Sequence, residues 1–265
     1  PLKFTHGIRM SVVTPKNKEV TALEGLHLYH GGMSNCSMRV RVTLEEKGLP
    51  WTSHHLDLRK AENITPEYFG IHPKGLVPAL VHDGVVHIES TDIIDYIDTT
   101  FDKPPLRPAD QANQEKMLEW MHLAAHNHIH VKTYMFAHQI GKNMAKTESE
   151  LALYRELQDN KELLKFHEEN SSVEGLSEER IANGTEVLLR CFARLDRELG
   201  EHKWIVGDSF SLADITWIPL YVTLNNAGYP FTDYPNVTRW KDGVRARPSF
   251  KKAVLEWVPE DLIRG

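Results

Sequence analysis

Three short segments of this chain carry side chains suited to chemistry. Ser34-Asn35-Cys36-Ser37 places hydroxyls and a thiol where a helix is expected to begin. Groups at a helix N-terminus face the positive end of its dipole, which favours a thiolate. Ser34 is read as a hydrogen-bond donor to a ligand sulfur and Cys36 as a nucleophile toward sulfur, with Ser37 as the hydroxyl that caps the helix. Val77-Pro78 interrupts an apolar run just before Asp83-Gly84. A proline cannot donate to a strand ladder, so it marks an edge, a bulge or a cis turn; an ordinary edge-strand proline is the plain alternative. Glu89-Ser90-Thr91 stands at a strand-to-helix junction. The helix end offers donors to a carboxylate and Glu89 offers a countercharge to an ammonium, so a ligand with an amino-acid head satisfies both. The plain alternative there is Ser90 as a simple helix cap beside a solvated Glu89.

A second pattern lies further on. His122, His126 and His130 recur every four residues, continued by Tyr134 and His138. Such spacing shares one helix face and can hold a metal. A metal also needs a third ligand, no His-Glu-x-x-His motif occurs, and no metal is expected.

The elements that must position these residues follow from periodicity and turn chemistry. Residues 1–24 read as an extension or an added edge strand. Leu26 to Tyr29 predicts a strand, Met38 to Lys47 a helix stopped by Gly48, and Trp51 to Leu58 a strand. A helical turn near Pro66 to Phe69 precedes an apolar run from Leu76 to His82, and Asp83-Gly84 joins it as a hairpin to Val85 to Ile88. Ser90 is expected to cap a helix carrying Ile93, Ile94 and Ile97 at helical spacing. The order βαβαββα over 25–100 is a thioredoxin-like α/β domain. In such a domain a cis-proline frees the preceding main chain, here Val77, to pair with a bound peptide as an extra strand. Pro104, Pro105 and Pro108 make 101–110 a linker. An all-α domain is expected over 111–258, with helices near 111–140, 148–166 and 177–199 and two shorter ones after them, and 259–265 as a tail. Ser211 with Asp214 reads as a capping box, a structural pair.

Bulk properties limit the function classes. The 265 residues are 41% hydrophobic and 26% charged, enough for one large or two small cores. A net charge of −6 without a long basic block speaks against nucleic acid. No apolar run approaches the roughly 20 residues of a membrane span, and the first residues lack a signal core, so no membrane partner is expected. Two cysteines, Cys36 and Cys191, make no disulfide framework and fit a reducing, cytoplasmic setting.

The segments Tyr29 to Arg41 (YHGGMSNCSMRVR), Leu44 to Gly48 (LEEKG), Pro73 to Leu80 (PKGLVPAL), Glu89-Ser90 and Ser211 to Asp214 (SLAD) together resemble the soluble glutathione transferase superfamily over roughly nine-tenths of the chain. The segment around Ser34 and Cys36 is most similar to the tetrachlorohydroquinone dehalogenase-like branch, and the similarity extends to bacterial β-etherases, whose pattern does not require the cysteine. The resemblance implies glutathione as co-substrate and a small hydrophobic, aromatic or phenolic electrophile as second substrate. It implies that Ser34 contacts the glutathione sulfur, that Val77 beside Pro78 pairs with the cysteinyl backbone, and that Glu89 and Ser90 hold the γ-glutamyl group. Lys60 is the basic residue assigned to the glycine carboxylate, with Arg59 and Lys74 as further candidates. Cys36 would resolve a glutathionyl intermediate, and His126, His130 and Tyr134 would line the electrophile pocket. A homodimer acting in detoxification or aromatic catabolism, with reductive removal of a halide or ether leaving group, is the expectation; a glutathione-dependent isomerase and a non-enzymatic binding or stress protein are the alternatives.

Overall fold

Alternating apolar strands and short helices over the first hundred residues build a single mixed sheet. The structure, a computed structural model, describes residues 11–158 and 160–258, so the first ten residues of the expected extension and the expected tail 259–265 lie outside the described residues. The chain divides into two compact units, Pro1–Pro105 with Leu157–Asp159, and Leu106–Glu156 with Asn160–Gly265.

The first unit holds strands β1 (Val12–Val13), β2 (Leu26–His30), β3 (Thr52–His55), β4 (Ala79–His82) and β5 (Val85–His87), with helices α1 (Asn35–Glu46), α2 (Pro66–Phe69) and α3 (Ser90–Thr100). The sheet order is β1-β5-β4-β2-β3. β2 and β3 run parallel across the α1 crossover, while β2–β4, β4–β5 and β1–β5 are antiparallel. This is the thioredoxin-like arrangement, with β1 added at one edge. The β4–β5 hairpin turns through Asp83 (φ 48°) and Gly84 (φ 78°), two successive positive φ values that the Asp-Gly pair accommodates. At Gly84 a Cβ would come within 2.4 Å of the Thr21 carbonyl oxygen, so only glycine fits.

One apolar cluster gathers Val20, Tyr68, Ile71, Ala79, Val81, Val86 and Ile88. Helix α1 packs against α3, and Met38, Val40, Val42, Leu44, Ile93, Ile94 and Ile97 are all buried. Where these helices end, the buried Lys47 ammonium meets the Asp98 carboxylate at 2.5 Å and also donates to the Phe101 carbonyl. Gly48 (φ 62°) ends α1 as expected.

The second unit contains α4 (Gln111–Met135), α5 (Glu148–Leu157), α6 (Lys161–Ser171), α7 (Glu178–Glu201), α8 (Leu212–Asn226), α9 (Pro235–Arg245) and α10 (Pro248–Phe250). A π-helical turn, Phe136–Ile140, prolongs α4. α8 is the core helix, packed on α4 and buried at every position except Asn225. The Trp217 indole donates to the Trp120 carbonyl at 3.0 Å. Among the described residues no helix is long and apolar enough to cross a membrane.

The expected elements are corrected in three places. The single helix expected over 148–166 is two, because Asn160 starts α6 afresh by accepting the Leu163 N–H at 3.0 Å. The strand expected to reach Leu58 stops at His55 and passes into a 3-10 turn, Leu58–Lys60, capped by Asp57. The strand expected from Leu76 begins only at Ala79.

Candidate functional site

The sheet register brings three of the singled-out segments to one end of the sheet. Tyr29 pairs with Ala79 and Leu80 with His87. Continued by two residues, that register sets Val77 level with Gly31, just ahead of Ser34, and Pro78 level with Glu89. The C-terminal ends of β2 and β5 and the start of β4 therefore carry Ser34, Cys36, Val77, Pro78, Glu89 and Ser90 on one rim.

Around Ser34 the backbone is held from beneath. The buried Arg41 guanidinium donates to the Gly31 carbonyl at 3.0 Å and to the Gly32 carbonyl at 2.7 Å, and lies 3.1 Å from His30 Nδ1. Since an arginine only donates, His30 Nδ1 accepts and its Nε2–H donates to Ser53 Oγ at 2.8 Å. Burial and then the Arg41 charge lower the His30 pKa to about 3, so the ring is neutral, and burial lowers Arg41 to about 9. The two caps differ from expectation. Ser34, not Ser37, is the N-cap of α1, its Oγ accepting the Ser37 N–H at 3.2 Å. Ser37 is wholly buried, and its Oγ accepts the Gly31 N–H at 3.2 Å. Ser34 as acceptor still keeps its hydroxyl proton for a ligand. Cys36, in the first turn, is a half-exposed free thiol; Cys191 is buried in α7, where burial pushes its thiol pKa up.

The loop ahead of Val77 is secured by side chains. Tyr68 Oη donates to the Leu76 carbonyl at 2.6 Å and Asn63 Nδ2 to the Gly75 carbonyl at 2.7 Å. The Val77–Pro78 bond is cis. Among the described residues neither the N–H nor the C=O of Val77 takes part in a backbone hydrogen bond, although β4 starts two residues later. A half-buried residue with no backbone hydrogen bond at a sheet rim is a place for a ligand's main chain.

At the third segment the expectation of Ser90 as a cap is corrected. Glu89 is the N-cap residue, with φ 63° and ψ 106° and no side-chain capping bond. That conformation is unfavourable for a residue with a Cβ, and such strain concentrates at functional sites. The Glu89 carboxylate lies exposed, 3.2 Å from Lys74 Nζ. Ser90 is buried as the first helical residue, and its Oγ accepts from Arg39 Nη1 at 3.1 Å. The first intrahelical bond runs from the Ile93 N–H to the Glu89 carbonyl. No motif singles out Arg39 and Arg41 for this role; the sequence signal is two arginines inside the apolar run Met38 to Leu44.

The remaining candidates lie elsewhere. Lys60 and Arg59 ride the exposed 3-10 turn after β3, both paired with Asp57. In the second unit, His126 is exposed on α4 while His130 and Tyr134 are half-buried. Burial, followed by the nearby His126, lowers the His130 pKa, and burial raises that of Tyr134. The Tyr134 ring packs on His138 at 4.2 Å and edge-on to Tyr229 at 5.3 Å between centroids.

Comparison with known proteins agrees with this geometry. Residues 33–100 match the N-terminal domain of glutathione S-transferases and residues 178–242 the C-terminal domain. Protein LigF of Sphingobium sp. strain SYK-6 is 31% identical over 253 residues, covering 90% of this chain and 96% of that protein. Glutathione S-transferase TCHQD of Arabidopsis thaliana is 23% identical over 248 residues, covering 86% of this chain and 89% of that protein. Among solved structures, the β-etherase LigF from Sphingobium sp. strain SYK-6 superposes with a TM-score of 0.78 at 28% identity, covering 86% of this chain and 98% of that one. With both domain models matched in order, the sheet rim built as described and a relative of this identity spanning nearly the whole chain, this protein belongs to the glutathione S-transferase family.

Proposed function

We propose that this protein is a glutathione transferase that directs the glutathione thiolate at a carbon bearing an ether or halide leaving group on a small aromatic or phenolic substrate. The observation that carries the reading is the unused main chain of Val77 beside the strained Glu89–Ser90 helix start. Glutathione has the matching parts. Its cysteinyl N–H and C=O pair with Val77 next to Pro78, its γ-glutamyl ammonium meets Glu89, and its γ-glutamyl carboxylate meets Ser90 and the start of α3. Lys60 is assigned to the glycine carboxylate, since Lys74 already faces Glu89. The Ser34 proton donates to the sulfur and favours its thiolate. His126, His130 and Tyr134 serve the electrophile. The protein acts as a cytoplasmic homodimer and needs no metal.

In the first step the thiolate forms a C–S bond, and the leaving group departs with the electron pair of the broken C–O or C–halogen bond. Likeness to the β-etherase LigF favours ether cleavage. Cys36 supplies a second step on aromatic conjugates. Its thiolate attacks the glutathionyl sulfur, the carbon leaves with the C–S electron pair and takes a proton, and a mixed disulfide remains. A second glutathione releases Cys36 as oxidised glutathione forms, so two thiols are oxidised for each carbon reduced.

The test is mass spectrometry of protein and products after brief reaction with a β-aryl ether and with a halogenated hydroquinone. On the halogenated hydroquinone, wild type is expected to release reduced aromatic and to carry one glutathione on Cys36, while Cys36→Ser stops at the thioether. Equal rates and products in the two proteins would leave Cys36 a packed residue and the simple transferase reaction as the function. Failure of wild type to be retained on immobilised glutathione would overturn the reading altogether.

A further inference from the structure

Between the two ends of the candidate site, thiol and head group, stands one buried side chain. Arg39 lies in α1 one turn after Cys36 and is 2% exposed. Residues three apart share a helix face, so Arg39 and Cys36 lie on one side of α1, and long helical side chains lean toward the helix N-terminus. Across to α3, Nη1 donates to Ser90 Oγ at 3.1 Å. We propose that Arg39 is a positioning residue coupling the two ends of the glutathione site: it fixes the Ser90 hydroxyl as a donor to the γ-glutamyl carboxylate and stands as buried countercharge to the Cys36 thiolate.

The chemistry follows from donor and acceptor counting. A serine hydroxyl has one proton and two lone pairs. A guanidinium can only donate, so its bond occupies a lone pair of Ser90 Oγ and leaves the proton for an oxyanion. At Cys36 the guanidinium contributes charge. Burial lowers the Arg39 pKa, and a charge on Cys36 opposes that fall, so the two groups sense each other. A fixed cation one turn away attracts the anionic sulfur that attacks an electrophile. Core filling alone would be met by methionine or leucine, without the cost of burying a charge.

This inference rests on the proposed glutathione site, and its test separates the two. Glutathione affinity by calorimetry and the iodoacetamide alkylation rate of Cys36 at neutral pH, resolved from Cys191 by peptide mass spectrometry, are measured for wild type, Ser90→Ala, Arg39→Met, Arg39→Gln and Arg39→Met/Ser90→Ala. Ser90→Ala and Arg39→Met are each expected to weaken glutathione about tenfold, and the double variant by little more than either, because both break one unit. Arg39→Met is expected to slow Cys36 alkylation severalfold. Arg39→Gln, which keeps a donor and loses the charge, is expected to slow Cys36 equally while keeping affinity within about threefold of wild type. If Arg39→Met does not stay folded, Arg39→Gln decides the matter by that split. Losses that multiply to about a hundredfold in the double variant, or a Cys36 rate unchanged by both Arg39 substitutions, overturn the coupling. Wild type that fails to bind glutathione at all sinks the site, and in that case the Cys36 rates alone judge the role of the Arg39 charge.

Discussion

Two helices of this protein begin with a serine next to a carboxylate, and they begin in opposite ways. At α8, Ser211 is extended (φ −140°, ψ 177°) and forms a full capping box with Asp214. Asp214 Oδ2 accepts the Ser211 N–H at 2.9 Å, while Oδ1 accepts the Ile205 N–H at 3.0 Å and the Trp240 indole N–H at 2.8 Å. Both residues are buried, and their polar groups are turned inward. At α3 the cap residue Glu89 is strained at φ 63°, makes no capping bond and leaves its carboxylate at the surface. A helix start whose donors are engaged internally serves stability; one left uncapped beside an unused main chain keeps them for a ligand.

The largest effect that tests this contrast is Asp214→Ala. It removes the acceptor of four donors, the N–H groups of Ile205 and Ser211, the Ser211 hydroxyl and the Trp240 indole, and about 3 to 5 kcal/mol of stability is expected to go, with glutathione binding by the surviving folded fraction unchanged. Urea unfolding measures it, and a loss below about 1 kcal/mol would erase the distinction between the two helix starts.

Next in size is the pH dependence of the same group. Burial raises the Asp214 pKa to about 6, against hydrogen bonds that lower it. The folded state therefore holds a proton that the unfolded chain releases. The contribution is full below the ordinary carboxylate value of 3.8 and is lost as pH rises through about 6. Over that window the stability difference between wild type and Asp214→Asn is expected to change by at most about 3 kcal/mol, and a flat difference from pH 4 to 7 would break the assignment.

At α3 the effects fall on binding. Glu89→Ala is expected to lower glutathione affinity about ten- to a hundredfold with stability changed by no more than about 1 kcal/mol, and Ser90→Ala to lower it about tenfold. Glu89→Gly sharpens this, because glycine accepts the positive φ: it is expected to gain up to about 1 kcal/mol in stability while losing the ligand. The smallest effect belongs to Ser34→Ala, a helix start that does both jobs. It is expected to cost about 1 kcal/mol through the lost cap and to slow both glutathione addition and the Cys36 step. A stability loss without slower turnover would make Ser34 a cap and nothing else.

Much of this was written locally in the chain. The Asp83-Gly84 hairpin, the α1 stop at Gly48 and the Ser211–Asp214 box depend on residues a few positions apart, so propensity and capping rules suffice for them. The order βαβαββα followed by helices comes from apolar periodicity, and the motifs around Ser34, Pro78 and Ser90 carry the family resemblance. Tertiary structure decided what distant residues do to each other. Register across β2, β4 and β5 brought residues 34, 77 and 89 to one rim; Arg39, read only as part of a helix, proved to reach Ser90 at 3.1 Å from 51 positions away. That contact is what turned Ser90 from an expected cap into an acceptor for a buried cation. The strain at Glu89 has the same origin, since a hairpin and a helix must meet there. A residue's neighbours along the chain name its donors and acceptors; packing alone determines which of them are already used.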